Sequence, residues 1–145
     1  MSQLAIQLVT WNSEAVLPDL FHSMRDAGLH DAALYIFDNN STDRTREILR
    51  QEVSTLALPV TLIEHHRNIG FAGGHNALLA KQAEPYVLLV NPDIVFTPEC
   101  VSKLLTYLNQ NSDVAAVAPR LMRDDSQIDS LGLGVFRNRR VIDRY

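Results

Sequence analysis

The sequence predicts an α/β fold with a mostly parallel sheet and helices on both of its faces. Apolar runs alternate with segments of helical periodicity along most of the 145 residues. The runs lack the polar alternation of a strand that faces water on one side, which indicates that both faces of the sheet are covered. Strands that alternate with helices in this way are typical of parallel sheets.

Five strands are predicted, and a helical pattern follows each of the first four. The predicted strands cover residues 4–10, 33–38, 59–65, 86–91 and 114–119. Proline suits the first turn of a helix because its missing N–H has no intrahelical partner there. Pro18 is therefore expected in the first turn of the first helix, and Thr97 and Pro98 are expected to start the fourth. The pattern weakens beyond Arg120, and residues 120–145 are expected to be irregular.

Length and composition favour one globular domain spanning residues 1–145. Hydrophobic residues make up 46% of the chain and charged residues 21%, which is ordinary for a soluble protein. The formal net charge of -4 argues against a nucleic-acid partner, which usually requires a basic excess. The single cysteine, Cys100, excludes an internal disulfide and fits a reducing, cytoplasmic compartment.

Polar residues follow each of the first four predicted strands, at the point where the strand ends. The carboxyl ends of parallel strands meet at one edge of a sheet, and ligands bind there. Any one cluster is expected of an ordinary turn, but four at one edge, two of them with a carboxylate, favour a binding site. The clusters are Thr10-Trp11-Asn12, Asp38-Asn39-Asn40-Ser41, Arg67-Asn68 with the glycines that follow, and Asn91-Pro92-Asp93.

Two carboxylates and a glycine-rich segment at this edge suggest specific chemistry. Asp38 is placed either to accept hydrogen bonds from a base or ribose, or to stabilise its own turn. Asp93 is placed to bind a hard divalent cation, which often takes only one or two carboxylates plus substrate phosphates. Gly70, Gly73 and Gly74 allow backbone N–H groups to approach a phosphate or sugar, or allow close helix packing.

Several other nucleotide-binding classes are excluded. The dinucleotide fingerprint G-x-G-x-x-G should follow the first strand, where this chain has Trp11-Asn12-Ser13-Glu14, and no P-loop motif occurs. A sugar-phosphate nucleotidyltransferase would carry a glycine-rich basic loop at the same place. The remaining basic segment, residues 137–140, is interpreted as a solvated loop, with contact to an anionic lipid-linked acceptor as the alternative.

Five consecutive blocks of the chain resemble family 2 glycosyltransferases. The blocks are LVTWNSEAVLPDLFHSM, IFDNNSTDRT, RNIGFAGGHNALL, LLVNPDIVFTPECVSKLL and VAAVAPRLM. They are most similar to the rhamnosyltransferase-like branch, which builds bacterial cell-surface polysaccharides, and they extend to about Met122. The resemblance implies an A-type glycosyltransferase fold whose first half binds a nucleotide-sugar.

The resemblance also implies roles for residues at the sheet edge. Asn91-Pro92-Asp93 stands where the family carries its Asp-x-Asp metal motif, so Asp93 would hold Mg²⁺ or Mn²⁺ largely alone. The general base is expected beyond Tyr145, in an acceptor half of which residues 120–145 would be the start, so no catalytic residue is identified. The implied donor-binding residues are Thr10, Trp11, Asn12, Asp38, Asn40, Asn68, Gly70, Phe71, Gly73, Asn76, Asn91 and Asp93.

Two functions follow as expectations. The first is the donor-binding half of an inverting glycosyltransferase that moves a sugar, such as rhamnose, from a dTDP- or UDP-linked donor to a glycan or lipid-linked acceptor. The alternative is a non-catalytic nucleotide-sugar-binding or assembly domain of the same fold. Either would lie in the cytoplasm or in peripheral contact with the inner face of the membrane. An incomplete sheet would also expose apolar surface and favour self-association.

Overall fold

The computed structural model of the chain describes residues 2–124, 126–138 and 140–144. The residues group into two compact units, Met1–Pro98 and Glu99–Tyr145, each with its own secondary structure. The interpretation of residues 1–145 as one domain stays a prediction. Within the described ranges, no helix combines the length and the apolar character that crossing a bilayer requires.

The first unit is a parallel four-stranded sheet with helices between its strands. Its elements are β1 (Leu4–Thr10), α1 (Leu17–Asp26), β2 (Ala32–Asp38), α2 (Thr45–Val53), β3 (Val60–Glu64), α3 (Phe71–Leu79) and β4 (Tyr86–Val90). The strand order is β3-β2-β1-β4, and every neighbouring pair is parallel. The predicted mostly parallel α/β fold is confirmed, and each of these strands begins and ends within one residue of its predicted position.

The two inner strands carry the core. All seven residues of β1 are buried, and so are six of the seven in β2. Residues on both faces of these two inner strands are removed from water, as the absence of polar alternation predicts. The α1 helix buries Leu17, Leu20, Phe21 and Met24 at helical spacing, and Pro18 lies in its first turn as expected.

A glycine lets α3 approach the sheet closely. A Cβ atom at Gly74 would lie 2.9 Å from both Cγ atoms of Val9 and 3.2 Å from Cδ1 of Phe37. Val9 and Phe37 form a buried cluster with Leu78 of the same helix. Gly73 also lies within α3, so two of the three glycines in this segment belong to the helix. Close helix packing therefore explains Gly74.

The second unit contains α4 (Cys100–Gln110) and two short antiparallel strand pairs. The pairs are β5 (Leu121–Met122) with β6 (Ile128–Ser130), and β7 (Leu133–Val135) with β8 (Val141–Asp143). Short regular strands thus occupy part of the region that was expected to be irregular.

Two predicted elements of this part of the chain are wrong. The fourth helix begins at Cys100 rather than at Thr97 and Pro98, because Glu99 adopts a left-handed conformation with φ of 62° that interrupts the helix. The predicted fifth strand at residues 114–119 is irregular. A strand requires a ladder partner, and none of the described residues pairs with this alanine-rich segment, whose composition also has low strand propensity.

Substitution of Gly74 by alanine tests the close packing of α3. We expect Gly74→Ala to lower the free energy of unfolding by about 1–3 kcal/mol, because the added methyl overlaps Val9 in a packed core. Urea unfolding measures the change. Gly73→Ala is the matched control, since its Cβ would meet only the Ile69 side chain, at 3.2 Å or more. Equal effects of the two substitutions would contradict the packing argument.

Candidate functional site

The four polar clusters leave the sheet at the same edge. In the parallel register Thr10 lies opposite Asp38, and Asp38 lies opposite Glu64. Val90, the last residue of β4, lies opposite Leu8, so the Asn91-Pro92-Asp93 cluster follows at this edge too. Hydrogen bonds between side chains and loop backbones connect the first three clusters to one another.

Asp38 is the centre of these hydrogen bonds. Its carboxylate is fully buried, and its Oδ1 accepts hydrogen bonds from the Thr10 hydroxyl at 3.3 Å and from the Ser41 hydroxyl. Its Oδ2 accepts from the Ser41 backbone N–H at 3.1 Å and from Arg46 Nε at 2.5 Å. A carboxylate has about four acceptor positions, so these bonds occupy the group. The turn-stabilising role is therefore present, and the ligand-binding role stays a prediction.

Arg46 extends this network to the end of β3. Its Nη2 donates to the carbonyl oxygen of His65 at 2.6 Å and lies 3.5 Å from Asn40 Oδ1. The side chain is 29% exposed, so the ion pair with Asp38 is largely removed from water. Arg46 was not among the predicted site residues. In the sequence, Arg46 is distinguished only as a basic residue in a helix that follows a strand ending in a carboxylate.

Asn12 joins the loop after β1 to the loop after β2. Its backbone N–H donates to the Ser41 hydroxyl at 2.9 Å, and its side-chain Oδ1 accepts from the Thr42 backbone N–H at 2.9 Å. Asn12 and Asn40 have φ of 49° and 65°, in the left-handed region that asparagine tolerates better than most residues. Ser13 N–H also donates to the Thr45 hydroxyl, at 2.7 Å.

Asn39 holds the loop that leads into α3. Its buried side chain accepts a hydrogen bond from Ile69 N–H at 2.8 Å and donates one to the Gly70 carbonyl at 3.0 Å. Asn68 Oδ1 accepts from Gly70 N–H at 2.8 Å. Gly70 has φ of 80° and ψ of 167°, a region that is essentially restricted to glycine. Asn39 belongs to the second polar cluster, but its role in holding this loop was not predicted.

Other predicted site residues remain exposed at the edge. Trp11 is 57% exposed and Phe71 is 55% exposed. The Asp93 carboxylate is exposed and has no hydrogen bond or ion pair with any residue that the structure describes. Further exposed members of the predicted set are Asn12, Asn68, Gly70, Asn76 and Asn91, whereas Thr10 and Asp38 are buried and Asn40 and Gly73 are partly buried. The edge thus combines exposed groups with a buried network of hydrogen bonds around Asp38 and Asn39, which is called the frame.

A buried histidine ties α3 to the middle of the sheet. His75 Nδ1 lies 3.0 Å from Gln7 Oε1, and Gln7 Nε2 donates to Gln82 Oε1 at 2.5 Å. An amide oxygen can only accept a hydrogen bond, so Nδ1 carries the proton in this arrangement. Burial lowers the pKa of His75, because the charged imidazolium would lose its hydration. Phe71 packs against the His75 ring with centroids 4.4 Å apart, which positions the start of α3.

Residues 6–139 match the family Glycosyl transferase family 2. The chain belongs to this family. It is 29% identical over 119 residues to the processive diacylglycerol beta-glycosyltransferase of Mycoplasma pneumoniae, covering 79% of this chain and 34% of the relative. It is 23% identical over 118 residues to an uncharacterized glycosyltransferase of Haemophilus influenzae, covering 81% and 36%. The chain therefore spans about a third of the length of these relatives.

Solved structures of glycosyltransferases share the fold. The mannosyltransferase PcManGT from Pyrobaculum calidifontis, in complex with GDP-Man and Mn²⁺, has a TM-score of 0.69 at 18% identity and covers 73% of this chain and 32% of its own. S. aureus TarS 1-349 in complex with UDP-GlcNAc has a TM-score of 0.69 at 17% identity, with 86% and 39% covered. The A-type glycosyltransferase fold that the sequence resemblance implied is confirmed.

The ligand atoms that this edge of the sheet offers fit only one kind of metal site. No group of three or more His, Cys, Asp or Glu residues in the described ranges could hold an ion. Asp93 and Asn91 are exposed oxygen donors, and hard divalent cations prefer oxygen ligands. These residues fit a cation whose remaining ligands are substrate phosphates and water, and they do not fit a metal site made by the protein alone.

Removal of Arg46 tests the frame around Asp38. We expect Arg46→Met to lower the free energy of unfolding by about 3 kcal/mol, because it leaves a buried carboxylate without its cation. Urea unfolding above pH 6 measures the loss. Arg44→Met is the matched control, since Arg44 pairs with Glu47 at the exposed surface and such pairs contribute little. If Arg46→Met lowered the free energy of unfolding as little as this control does, the burial of Asp38 would not depend on the ion pair.

Proposed function

We propose that this chain is the donor-binding part of a metal-dependent, inverting glycosyltransferase, with the nucleotide-sugar held at the carboxyl edge of the sheet. The observation that carries the proposal is the contrast between two aspartates at that edge. Asp38 is buried and fully hydrogen-bonded to Thr10, Ser41 and Arg46, while Asp93 is exposed and unpaired among the described residues. The family membership and the nucleotide-sugar complexes of the structural relatives support it.

The exposed residues are proposed to contact the donor directly. Trp11 offers an aromatic face on which a base can stack, beside the Asn12 side chain. Phe71 and Asn76 lie on α3, whose first residues follow the Gly70 turn, and are proposed to line the sugar and phosphate part of the pocket. The buried or partly buried members of the predicted set, Thr10, Asp38, Asn40 and Gly73, would then shape the pocket rather than bind the ligand.

Asp93 and Asn91 are proposed to hold Mg²⁺ or Mn²⁺ together with the donor diphosphate. The ion supplies positive charge where negative charge builds up on the leaving nucleoside diphosphate. The sheet-edge residues orient the donor so that its anomeric carbon faces the acceptor. The acceptor oxygen would attack the anomeric carbon from the face opposite the diphosphate, so that the bond to the diphosphate breaks and the anomeric centre is inverted. A general base would take the proton of the acceptor hydroxyl, and this base is not assigned to a residue of this chain.

The branch of the family, the nucleotide, the acceptor and the location are proposed from fewer observations. The rhamnosyltransferase-like branch and a dTDP- or UDP-linked donor rest on the sequence resemblance, and a cytoplasmic location rests on the composition with its single cysteine. A lipid-linked or glycan acceptor is in keeping with the name of the Mycoplasma relative, which acts on diacylglycerol. The structural relatives carry GDP-Man and UDP-GlcNAc, so they do not favour one nucleotide. Donor binding is common to the catalytic function and to its non-catalytic alternative.

Thermal unfolding with nucleoside diphosphates tests the donor site. We expect UDP or dTDP to stabilise the chain strongly only when Mn²⁺ or Mg²⁺ is present, by about 2.7 kcal/mol at a ligand concentration 100 times Kd. We expect Asp93→Ala to abolish the metal-dependent part, because the proposed site has no other protein carboxylate. Isothermal titration of nucleotide with and without Mn²⁺ gives the affinities.

Asp113→Ala is the matched control for this experiment. Asp113 is an exposed aspartate in a turn after α4, so its removal changes the net charge equally and should leave the metal-dependent stabilisation intact. Full retention of the metal effect in Asp93→Ala would remove Asp93 from the proposed role. Absence of any nucleotide effect in the unchanged chain would contradict the donor site itself.

A further inference from the structure

The end of the second unit forms a regular β-hairpin whose function the donor site does not explain. Strands β7 and β8 pair in antiparallel register, and the ladder continues beyond them. Leu131 N–H donates to the Arg144 carbonyl at 2.7 Å, and Arg144 N–H donates to the Gly132 carbonyl at 2.9 Å. At the other end Phe136 N–H donates to the Arg140 carbonyl at 2.9 Å. This segment is called the 131–144 hairpin.

One face of the 131–144 hairpin combines exposed apolar and cationic side chains. Phe136 lies opposite Arg140, and Ile142 is two residues further along the same strand, so the three side chains share a face. They border a common surface pocket together with Asn138. Phe136 is 53% exposed and Ile142 is 40% exposed. The ladder partner of Ile142 is Gly134, which has no side chain to cover it.

Positive charge is concentrated in the same segment. Between Leu131 and Tyr145 the sequence has four arginines and one aspartate, a formal charge of +3 within a chain of net charge -4. Arg137, Arg140 and Arg144 are exposed, and none of them forms an ion pair with a carboxylate in the described ranges. By contrast, Arg123 of the same unit is paired with Asp129 at 2.8 Å.

We propose that this face of the 131–144 hairpin docks on the surface of an anionic phospholipid bilayer. An aromatic and an aliphatic side chain can enter the interface while neighbouring arginines reach the phosphates with their charged ends. The negative surface attracts basic residues, and the acidic remainder of the chain is repelled, so the charge distribution orients the protein. The exposed apolar side chains of Phe136 and Ile142 favour a bilayer over a nucleic acid as the occupant, because both can enter the lipid interface.

Vesicle sedimentation without nucleotide tests this inference separately from the donor site. We expect the chain to bind vesicles of phosphatidylcholine with about one-third phosphatidylglycerol, and not phosphatidylcholine alone. Binding should weaken as salt is raised, because salt screens the attraction. Arg137→Ser with Arg140→Ser should reduce the partition coefficient roughly 25-fold, at about fivefold for each arginine. Phe136→Ser should reduce it roughly tenfold, through the lost apolar burial.

Arg44→Ser with Arg50→Ser is the matched control, because it removes the same charge from arginines that pair with Glu47 and Glu64. We expect this pair to bind anionic vesicles like the unchanged chain. The proposal would be overturned if both pairs of arginine substitutions reduced vesicle binding equally. It would also be overturned if the unchanged chain bound neutral and anionic vesicles equally. Circular dichroism checks that each variant is folded. If the variant with both Arg137→Ser and Arg140→Ser unfolds, the proposal is tested by Phe136→Ser and by the salt series on the unchanged chain.

Two further outcomes would assign the face to a different occupant. Displacement of the protein from vesicles by soluble glycerol 3-phosphate would indicate a single-phosphate site rather than docking on a surface. A concentration-dependent dimer that Phe136→Ser disrupts, seen by light scattering in place of vesicle binding, would assign the face to a second copy of the chain. Either result would overturn the membrane proposal.

Discussion

The buried carboxylate of Asp38 is the group on which the sheet edge depends. A charge removed from water is costly unless it is paired and hydrogen-bonded, and here the partners come from three separate segments. Thr10 ends β1, Ser41 belongs to the loop after β2, and Arg46 lies on α2 and also reaches the end of β3. One satisfied carboxylate therefore fixes the relative positions of three strand ends.

This arrangement divides the edge into a frame and an exposed surface. Asn39 continues the frame by holding the loop before α3, and Gly74 sets how closely that helix approaches the sheet. Because these polar groups bond to one another, they do not have to reorganise when a ligand arrives. Exposed groups such as Trp11 and Asn68 then lie at an edge whose geometry is already set, which is the preorganisation that the proposed donor site would use.

The parallel sheet was predictable because its strands are mostly apolar and alternate with helical patterns, and this signal needs no tertiary information. The shared edge followed from topology alone. The role of Asn39 was not predictable, since its partners Ile69 and Gly70 lie beyond the next helix and strand. The role of Arg46 was not predictable either, since it depends on the ends of β2 and β3 meeting beside α2. The start of α4 was missed because a left-handed Glu99 overrode a favourable Thr97-Pro98 signal. Residues 114–119 have an apolar pattern but no described ladder partner, and a strand needs both.

The most direct measurement of the central claim is the anomalous scattering of Mn²⁺ in a crystal of the chain grown with a nucleoside diphosphate. The account predicts one manganese peak at the carboxyl edge of the sheet, within about 2.0–2.6 Å of an Asp93 oxygen and of the diphosphate. It also predicts that the Asp38 bonds to Thr10, Ser41 and Arg46 persist in the complex. A nucleotide bound away from this edge, or bound there with its ion distant from Asp93, would contradict the account.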